Sequence, residues 1–261
     1  MRRPLAALAA AATLAVLAGA LAQAEVITGG NARVSFHGAI TPHVLPRAGT
    51  APVTLEVAGA VKPIGDARPA GILRVEIAIN RHGVVATRGL PVCPRRRLLS
   101  SSTAQALAAC RGALVGSGHF SAHIDIPEQS PFPAAGRMLA FNARIDGRRA
   151  LLAHVYGIKP VPNAEVLPMT IRRESDGQFG STLTVRMPDV GNDWGYVTGF
   201  DLTLQRRYVF RGRERSFLSA SCPAPSGVRE AAFRAARGTF FLSEGDPVTR
   251  VVTSRCRVAA P

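Results

Sequence analysis

The sequence predicts a mainly β protein, a jelly-roll-like β-sandwich built from antiparallel hairpins with one or two short helices. Three observations carry this. Short segments of alternating apolar and polar residues recur along the chain with turn residues between them. Nineteen prolines and 25 glycines leave little room for long helices. The third is the stretch 136–157, GRMLAFNARIDGRRALLAHVYG, which reads as a β-hairpin. Its Asp146-Gly147 tip lies between two apolar runs and suits a type I′ turn, where both central residues need positive φ.

A two-residue loop at that tip pairs Ile145 with Arg148, Ala143 with Ala150, Phe141 with Leu152 and Leu139 with His154. Leu139, Phe141 and Leu152 then share one face, and Met138, Leu151 and Val155 the other. Arms that are apolar on both faces belong in the middle of a sheet covered on both sides.

The other elements follow in order. Ala32 to Ile40 alternates Val34 and Phe36 with Ser35 and His37, a first strand. Val53 to Val61 and Ile72 to Asn80 are the next two, and Arg81-His82-Gly83 turns the last toward Val84. After Cys93-Pro94 and the Arg95-Arg96-Arg97 run, Ser102 or Thr103 can cap a short helix over Ala104 to Cys110, with Gly112 just past its end. His119 to Ile126 alternates cleanly. Val166 to Glu174 and Phe179 to Met187 flank Asp176-Gly177 as a second hairpin, with Ile171 expected opposite Thr182 and Met169 opposite Thr184. Tyr196 to Phe210 reads as one long strand with Phe200, Leu202, Leu204, Tyr208 and Phe210 on a shared face. Arg211-Gly212-Arg213 turns it back toward Ser216 to Ser221. The Ala-rich run Val228 to Arg237 suggests a second short helix stopped by Gly238, and Thr239 to Leu242 and Val248 to Val258 close the sheet.

Residues 1–24 read as a secretory signal peptide. Arg2 and Arg3 precede an Ala/Leu-rich stretch, and Ala22-Gln23-Ala24 offers a small-x-small cleavage pattern. A retained anchor is the alternative reading, and no later segment is long and apolar enough to span a bilayer. Residues 25–261 are expected to form a single domain, secreted or held in the periplasm or cell envelope.

Without Arg2 and Arg3, 30 basic residues face 17 acidic ones, a net of about +13. Such an excess favours polyanionic partners, namely anionic envelope polymers or glycans, against the plainer reading of a solvated basic surface. Four cysteines fit an oxidising compartment. Three pairings exist, and the sequence-local one, Cys93–Cys110 with Cys222–Cys256, is expected. No C-x-x-C pair points to redox chemistry or zinc.

Five runs, 90–94 (LPVCP), 113–118 (ALVGSG), 139–142 (LAFN), 153–157 (AHVYG) and 218–225 (LSASCPAP), resemble a group of exported bacterial proteins of uncharacterised function. The resemblance spans most of residues 25–261 and implies an exported β-rich domain, with no activity attached.

Motifs for chemistry are weak. His119, His123 and Asp125 share a strand face, but residues i and i+4 of a strand lie about 13 Å apart, too far for one metal without a bulge. A solvated face is the simpler account, and neither metal nor cofactor is expected. His154 suits a hydrogen-bonded packing role, since no partner for a base is evident. Gly116-Ser117-Gly118 lacks the G-x-S-x-G spacing of a serine hydrolase, and Asp189 and Asp193 sit in a single turn-rich loop. Two binding candidates remain. Trp194 and Tyr196, in a Gly/Asn/Asp loop, offer a stacking platform for a sugar ring, against the reading of Trp194 as a core plug. Arg211, Arg213 and Arg215, with Arg206 and Arg207, crowd one hairpin tip where guanidinium forks match phosphate geometry. Without interleaved aromatics or a nucleic-acid motif, no specific nucleic-acid partner is expected. The sequence therefore favours a non-catalytic binding or envelope protein over a carbohydrate-active or lipid-acting hydrolase on a jelly-roll.

Overall fold

The computed structural model describes residues 25–159, 161–175, 177–187 and 195–260. The segment 1–24 that reads as a signal peptide, Asp176, and Trp194 with most of its loop lie outside the described residues. The strands, in chain order, are β1 Glu25–Gly29, β2 Ala32–Thr41, β3 Val44–Leu45, β4 Ala51–Pro52, β5 Thr54–Pro63, β6 Ile72–Asn80 and β7 Gly83–Val85. Helix α1, Thr103–Cys110, precedes β8 Leu114–Ile124, β9 Phe132–Ile145, β10 Arg148–Gly157, β11 Asn163–Arg173 and β12 Phe179–Arg186. The chain finishes with β13 Gly195–Leu204, β14 Arg207–Phe210, β15 Arg213–Ser216, β16 Leu218–Ala220, β17 Glu230–Leu242 and β18 Val248–Val258.

Thirteen strands form one sheet in the order β1-β2-β5-β13-β8-β9-β10-β11-β12-β6-β17-β18-β3, antiparallel throughout except for the short β18–β3 pair. The sheet curls until its margins meet. Arg250 Nη2 donates to the Val26 carbonyl at 2.8 Å, and Gly29 of β1 lies against Val248 of β18. The fold is thus mainly β and sandwich-like, its facing layers being halves of one curled sheet. The enclosed face carries the main core, including Val34, Phe36, Val57, Val75, Leu151, Leu183 and Phe240. Phe36 and Phe240 meet edge to face there at 5.6 Å.

The β9–β10 hairpin occupies the middle of the sheet in the expected register, Ile145 opposite Arg148 and Leu139 opposite His154. Both its faces are covered, as its two-sided apolar pattern requires. Met138 and Leu151 enter the main core, while Leu139, Phe141 and Leu152 pack outward against Leu98, Ala106 and the Cys93–Cys110 disulfide. Helix α1 supplies that outer cover and is closed by a capping box, Ser102 Oγ accepting from Gln105 N while Gln105 Oε1 accepts from Ser102 N. Two glycines let aromatic rings lie flat on neighbouring strands. The Phe120 ring lies over Gly136, its cross-strand partner, and the Phe200 ring over Gly59. A Cβ on Gly136 would also strike the Tyr156 carbonyl.

Both expected disulfides are present, Cys93–Cys110 and Cys222–Cys256. Three other expectations are corrected. The second hairpin is shifted by one residue: Ile171 faces Leu183 and Met169 faces Val185. Its connection is longer than the Asp176-Gly177 dipeptide, with Glu174 N donating to Gly180 O. A one-residue slip exchanges every side chain between faces, and this one sends Leu183 and Val185 into the core while Thr184 faces outward. The run 228–237 is not a helix: β17 begins at Glu230, and pairing with β18 along 230–237, joined by β6 from Ala236, outweighs the helical preference of its alanines. Finally, 196–210 is broken at Gln205-Arg206. Phe200, Leu202 and Leu204 stay in β13, whereas Tyr208 and Phe210 belong to β14, which leaves the main sheet to pair only with β15.

Candidate functional site

The register brings the ends of the strands together at two poles. At one lie the end of β2, the start of β5, the end of β13, the start of β8, the β9–β10 tip, the β11–β12 turn, the end of β6, the start of β17 and the end of β18. This pole is stoppered by the three-stranded sheet β4-β16-β7 together with Phe217, Leu218 and Leu90. The opposite pole holds the turns 64–71, 125–131 and 243–247.

Charge is divided between them. Segment 81–113, at the stoppered pole or on the flank leading to it, has six arginines (Arg81, Arg88, Arg95, Arg96, Arg97, Arg111) and no carboxylate. Segment 205–229 has six more (Arg206, Arg207, Arg211, Arg213, Arg215, Arg229) and only Glu214 against them. At the opposite pole, 125–131 and 243–247 carry Asp125, Glu128, Glu244 and Asp246 with no base, and 64–71 has one of each sign. The loops of the stoppered pole are thus strongly basic and those of the opposite pole net acidic, while Arg33, Lys62, Arg74 and Arg186 lie on strands toward the latter.

The β14–β15 hairpin projects its arginines from the stoppered pole. Its tip is Arg211-Gly212, both at positive φ (53° and 71°), the geometry of a type I′ turn. Tyr208 faces Arg215 and Phe210 faces Arg213 across the pair. The Tyr208 hydroxyl donates to the Arg88 carbonyl at 2.9 Å, and the Phe210 ring lies against Gly89, so the aromatics fasten the hairpin to the 86–90 turn. The Arg211 guanidinium sits over Phe210 at 5.4 Å. Burial raises the Tyr208 pKa, with Arg215 opposing it, so the phenol stays neutral at physiological pH. Arg207, Arg211, Arg213 and Arg215 are exposed, and among the described residues none is in an ion pair. Nearby, burial and, after it, the charge of Arg173 lower the Arg149 pKa.

Of the sequence candidates, Arg211, Arg213 and Arg215 come together here. Tyr196 does not join them. It starts β13 at the opposite pole and stacks on His123, ring centroids 5.4 Å apart. The interleaved aromatics that the linear pattern lacks are Tyr208 and Phe210, hidden there on the apolar face of one long strand. The pairing of Tyr208 with Arg215 and Phe210 with Arg213 becomes readable once Arg211-Gly212 is taken as a two-residue turn.

The histidines disperse. His119 lies 3.4 Å from Asp201 on an exposed outer face, with both side chains more than half exposed. His82 Nδ1 meets Ser221 Oγ at 3.1 Å beside the stopper. His154 is buried beneath the segment that leads into α1. Among the described residues no group of three His, Cys, Asp or Glu is placed to hold a metal. Between the stopper and the sheet is an apolar void of about 40 Å³, bounded by Phe36, Ile77, Val85 and Leu218. That is far below the ~300–1,000 Å³ of a ligand pocket.

Comparison of the chain with protein-family models, with curated proteins and with solved structures finds no match in any of the three. Its two disulfides accord with an oxidising compartment. Among the described residues no helix is long and apolar enough to cross a membrane.

Proposed function

We propose that this is an exported, non-catalytic binding protein of the cell envelope or extracellular space that attaches to anionic polymers by its arginine-rich pole. The observation that supports this is the segregation of charge, with Arg207, Arg211, Arg213 and Arg215 exposed on a hairpin whose aromatics anchor it. Guanidinium forks suit phosphate, sulfate and carboxylate alike. A hydrolase on this scaffold needs two carboxylates, or a histidine and a carboxylate, converging in a cleft. The one such pair among the described ion pairs, His119–Asp201, is on an open face.

The test compares retention on immobilised heparin, and affinity for a polyphosphate, for two sets of variants. Arg213→Gln/Arg215→Gln should elute at clearly lower salt and flatten the log-affinity against log-salt line by about 0.7–0.9 for each phosphate that is no longer neutralised. Arg33→Gln/Lys62→Gln removes the same charge from the other end of the strands and should change the slope little. Equal effects from the two pairs would reduce the positive charge to a diffuse property of the surface and sink the proposal.

A further inference from the structure

The opposite pole carries a second feature, independent of the first. A cleft of about 570 Å³ opens at the strand ends beside the 243–247 turn, lined by Arg74, Arg186 and Phe241 together with Leu73, Met187, Pro247 and the core residue Leu242. Arg186 of β12 is the direct cross-strand partner of Arg74 on β6, and Arg74 in turn faces Phe241 on β17. The three therefore form a row across neighbouring strands, about 4.8 Å apart at each step. The Arg74 guanidinium lies on the Phe241 ring, 3.6 Å from its centroid, which fixes its plane. Its Nε edge is turned to Glu76 at 3.4 Å. Among the described residues, the terminal nitrogens of Arg74 and the whole guanidinium of Arg186 have neither a carboxylate nor a hydrogen-bond partner. Glu244 and Asp246 belong to the adjoining turn but do not line the cleft.

Like charges directly opposite on neighbouring strands repel. Two arginines so placed, one of them pre-oriented by a ring, form a fork whose repulsion a bound oxyanion would turn into attraction. Leu73, Met187, Phe241 and Pro247 add apolar wall beside it. We infer that this cleft binds an organic oxyanion, that is, a phosphate, sulfate or carboxylate on a ring or alkyl body. The charged group sits between Arg74 and Arg186, and the body lies along Met187 and Leu73.

Phenyl phosphate, benzoate and inorganic phosphate are the probes, and methionine-methyl NMR of the intact protein is the readout. Met187 lines the cleft, whereas Met138 and Met169 are buried in the core and act as internal references. Phenyl phosphate should shift the Met187 methyl signal saturably and leave the other two in place. Arg186→Gln and Arg74→Gln should each weaken that binding at least tenfold, about 1.4 kcal/mol. Because Arg186 is exposed and faces a like charge, Arg186→Gln without added anion should melt no lower than the parent. The Arg211→Gln/Arg213→Gln/Arg215→Gln protein should bind phenyl phosphate as the parent does, which separates this site from the arginine-rich pole. Binding of phenyl phosphate without benzoate assigns a phosphoryl group, and binding of both assigns organic oxyanions in general. Equal affinity for phenyl phosphate and inorganic phosphate overturns the organic part of the assignment. A Met187 signal that stays fixed up to about 10 mM of either organic probe, or that shifts with unchanged affinity in Arg186→Gln, overturns the site itself.

Discussion

His154 Nε2 donates to the Ser101 carbonyl at 2.8 Å, and it does so in full burial. The Ser101 hydroxyl, 3.2 Å from the same nitrogen, donates to Leu98 O at 2.7 Å. The ring fastens the 98–102 segment, and with it the entry to α1, to the outer face of the central hairpin. Its other nitrogen, Nδ1, has no partner among the described residues, and Tyr156 stacks beside it at 6.5 Å.

That arrangement predicts a pH dependence. Burial lowers the His154 pKa below the ordinary 6.5, against the opposing effect of the hydrogen bond to Ser101. Between the folded and unfolded values the unfolded chain holds the extra proton. The His154 contribution is therefore complete above about pH 6.5 and declines as pH falls toward the folded value. Urea midpoints at pH 7.5 and pH 5 should show this loss. His154→Leu should lower stability at pH 7.5 by about 1–3 kcal/mol, since Ser101 O loses its buried donor, and should weaken the pH dependence. An unchanged pH dependence in the variant would refute the assignment.

A second expectation concerns the hairpin of β11 and β12. In the observed register Leu183 is core and Thr184 is outward. Leu183→Ala should cost about 2–5 kcal/mol, and Thr184→Ala less than about 1 kcal/mol. The register read from the Asp176-Gly177 dipeptide demands the reverse order, so a pair of denaturation curves decides between them.

Gly136→Ala should be costly in a way that Gly147→Ala is not through packing. The new methyl at 136 meets the Tyr156 carbonyl and the Phe120 ring, whereas at Gly147 it meets open space and only the positive φ of 74° opposes it. A loss of about 1–3 kcal/mol or more is expected at Gly136 from overpacking. Melting curves in which Gly136→Ala is neutral would mean that β9 and β10 can part locally without loss.

The two disulfides close loops of 17 and 34 residues. Chain entropy gives each about 3–4 kcal/mol, with the longer loop favoured by about 0.6 kcal/mol because it is twice the shorter. Replacing each pair by alanines and comparing guanidinium midpoints checks the order. Greater loss from Cys93–Cys110 would show that holding α1 over Phe141 and Leu152 matters more than loop length.

What is legible in the sequence divides along physical lines. The β9–β10 register can be read because a two-residue type I′ turn leaves no slack and both faces are apolar. The register of β11–β12 cannot, since its longer connection allows two pairings whose apolar content differs only between Leu183/Val185 and Thr182/Thr184. The capping box at Ser102 is a local feature and is readable. The strand over 230–237 is not, because its pairing with β18, joined by β6 only from Ala236, is a tertiary contact that no local pattern records, while its own alanines favour helix. The arginine-rich hairpin is recognisable by its charge, but its anchoring to the 86–90 turn is a contact across about 120 residues that no local pattern records. Nothing in the sequence marks Arg74 and Arg186 as neighbours, since only the register of β6 with β12 brings them face to face.

The separation of charge between the two poles gives the molecule a built-in compass. Near an extended anionic surface it feels a torque as well as an attraction, and it turns until the arginine-rich end points down. If the arginine-rich pole attaches as proposed, the strands stand upright like staves and every copy docks the same way round. The acidic turns and the Arg74–Arg186 cleft would then face the medium.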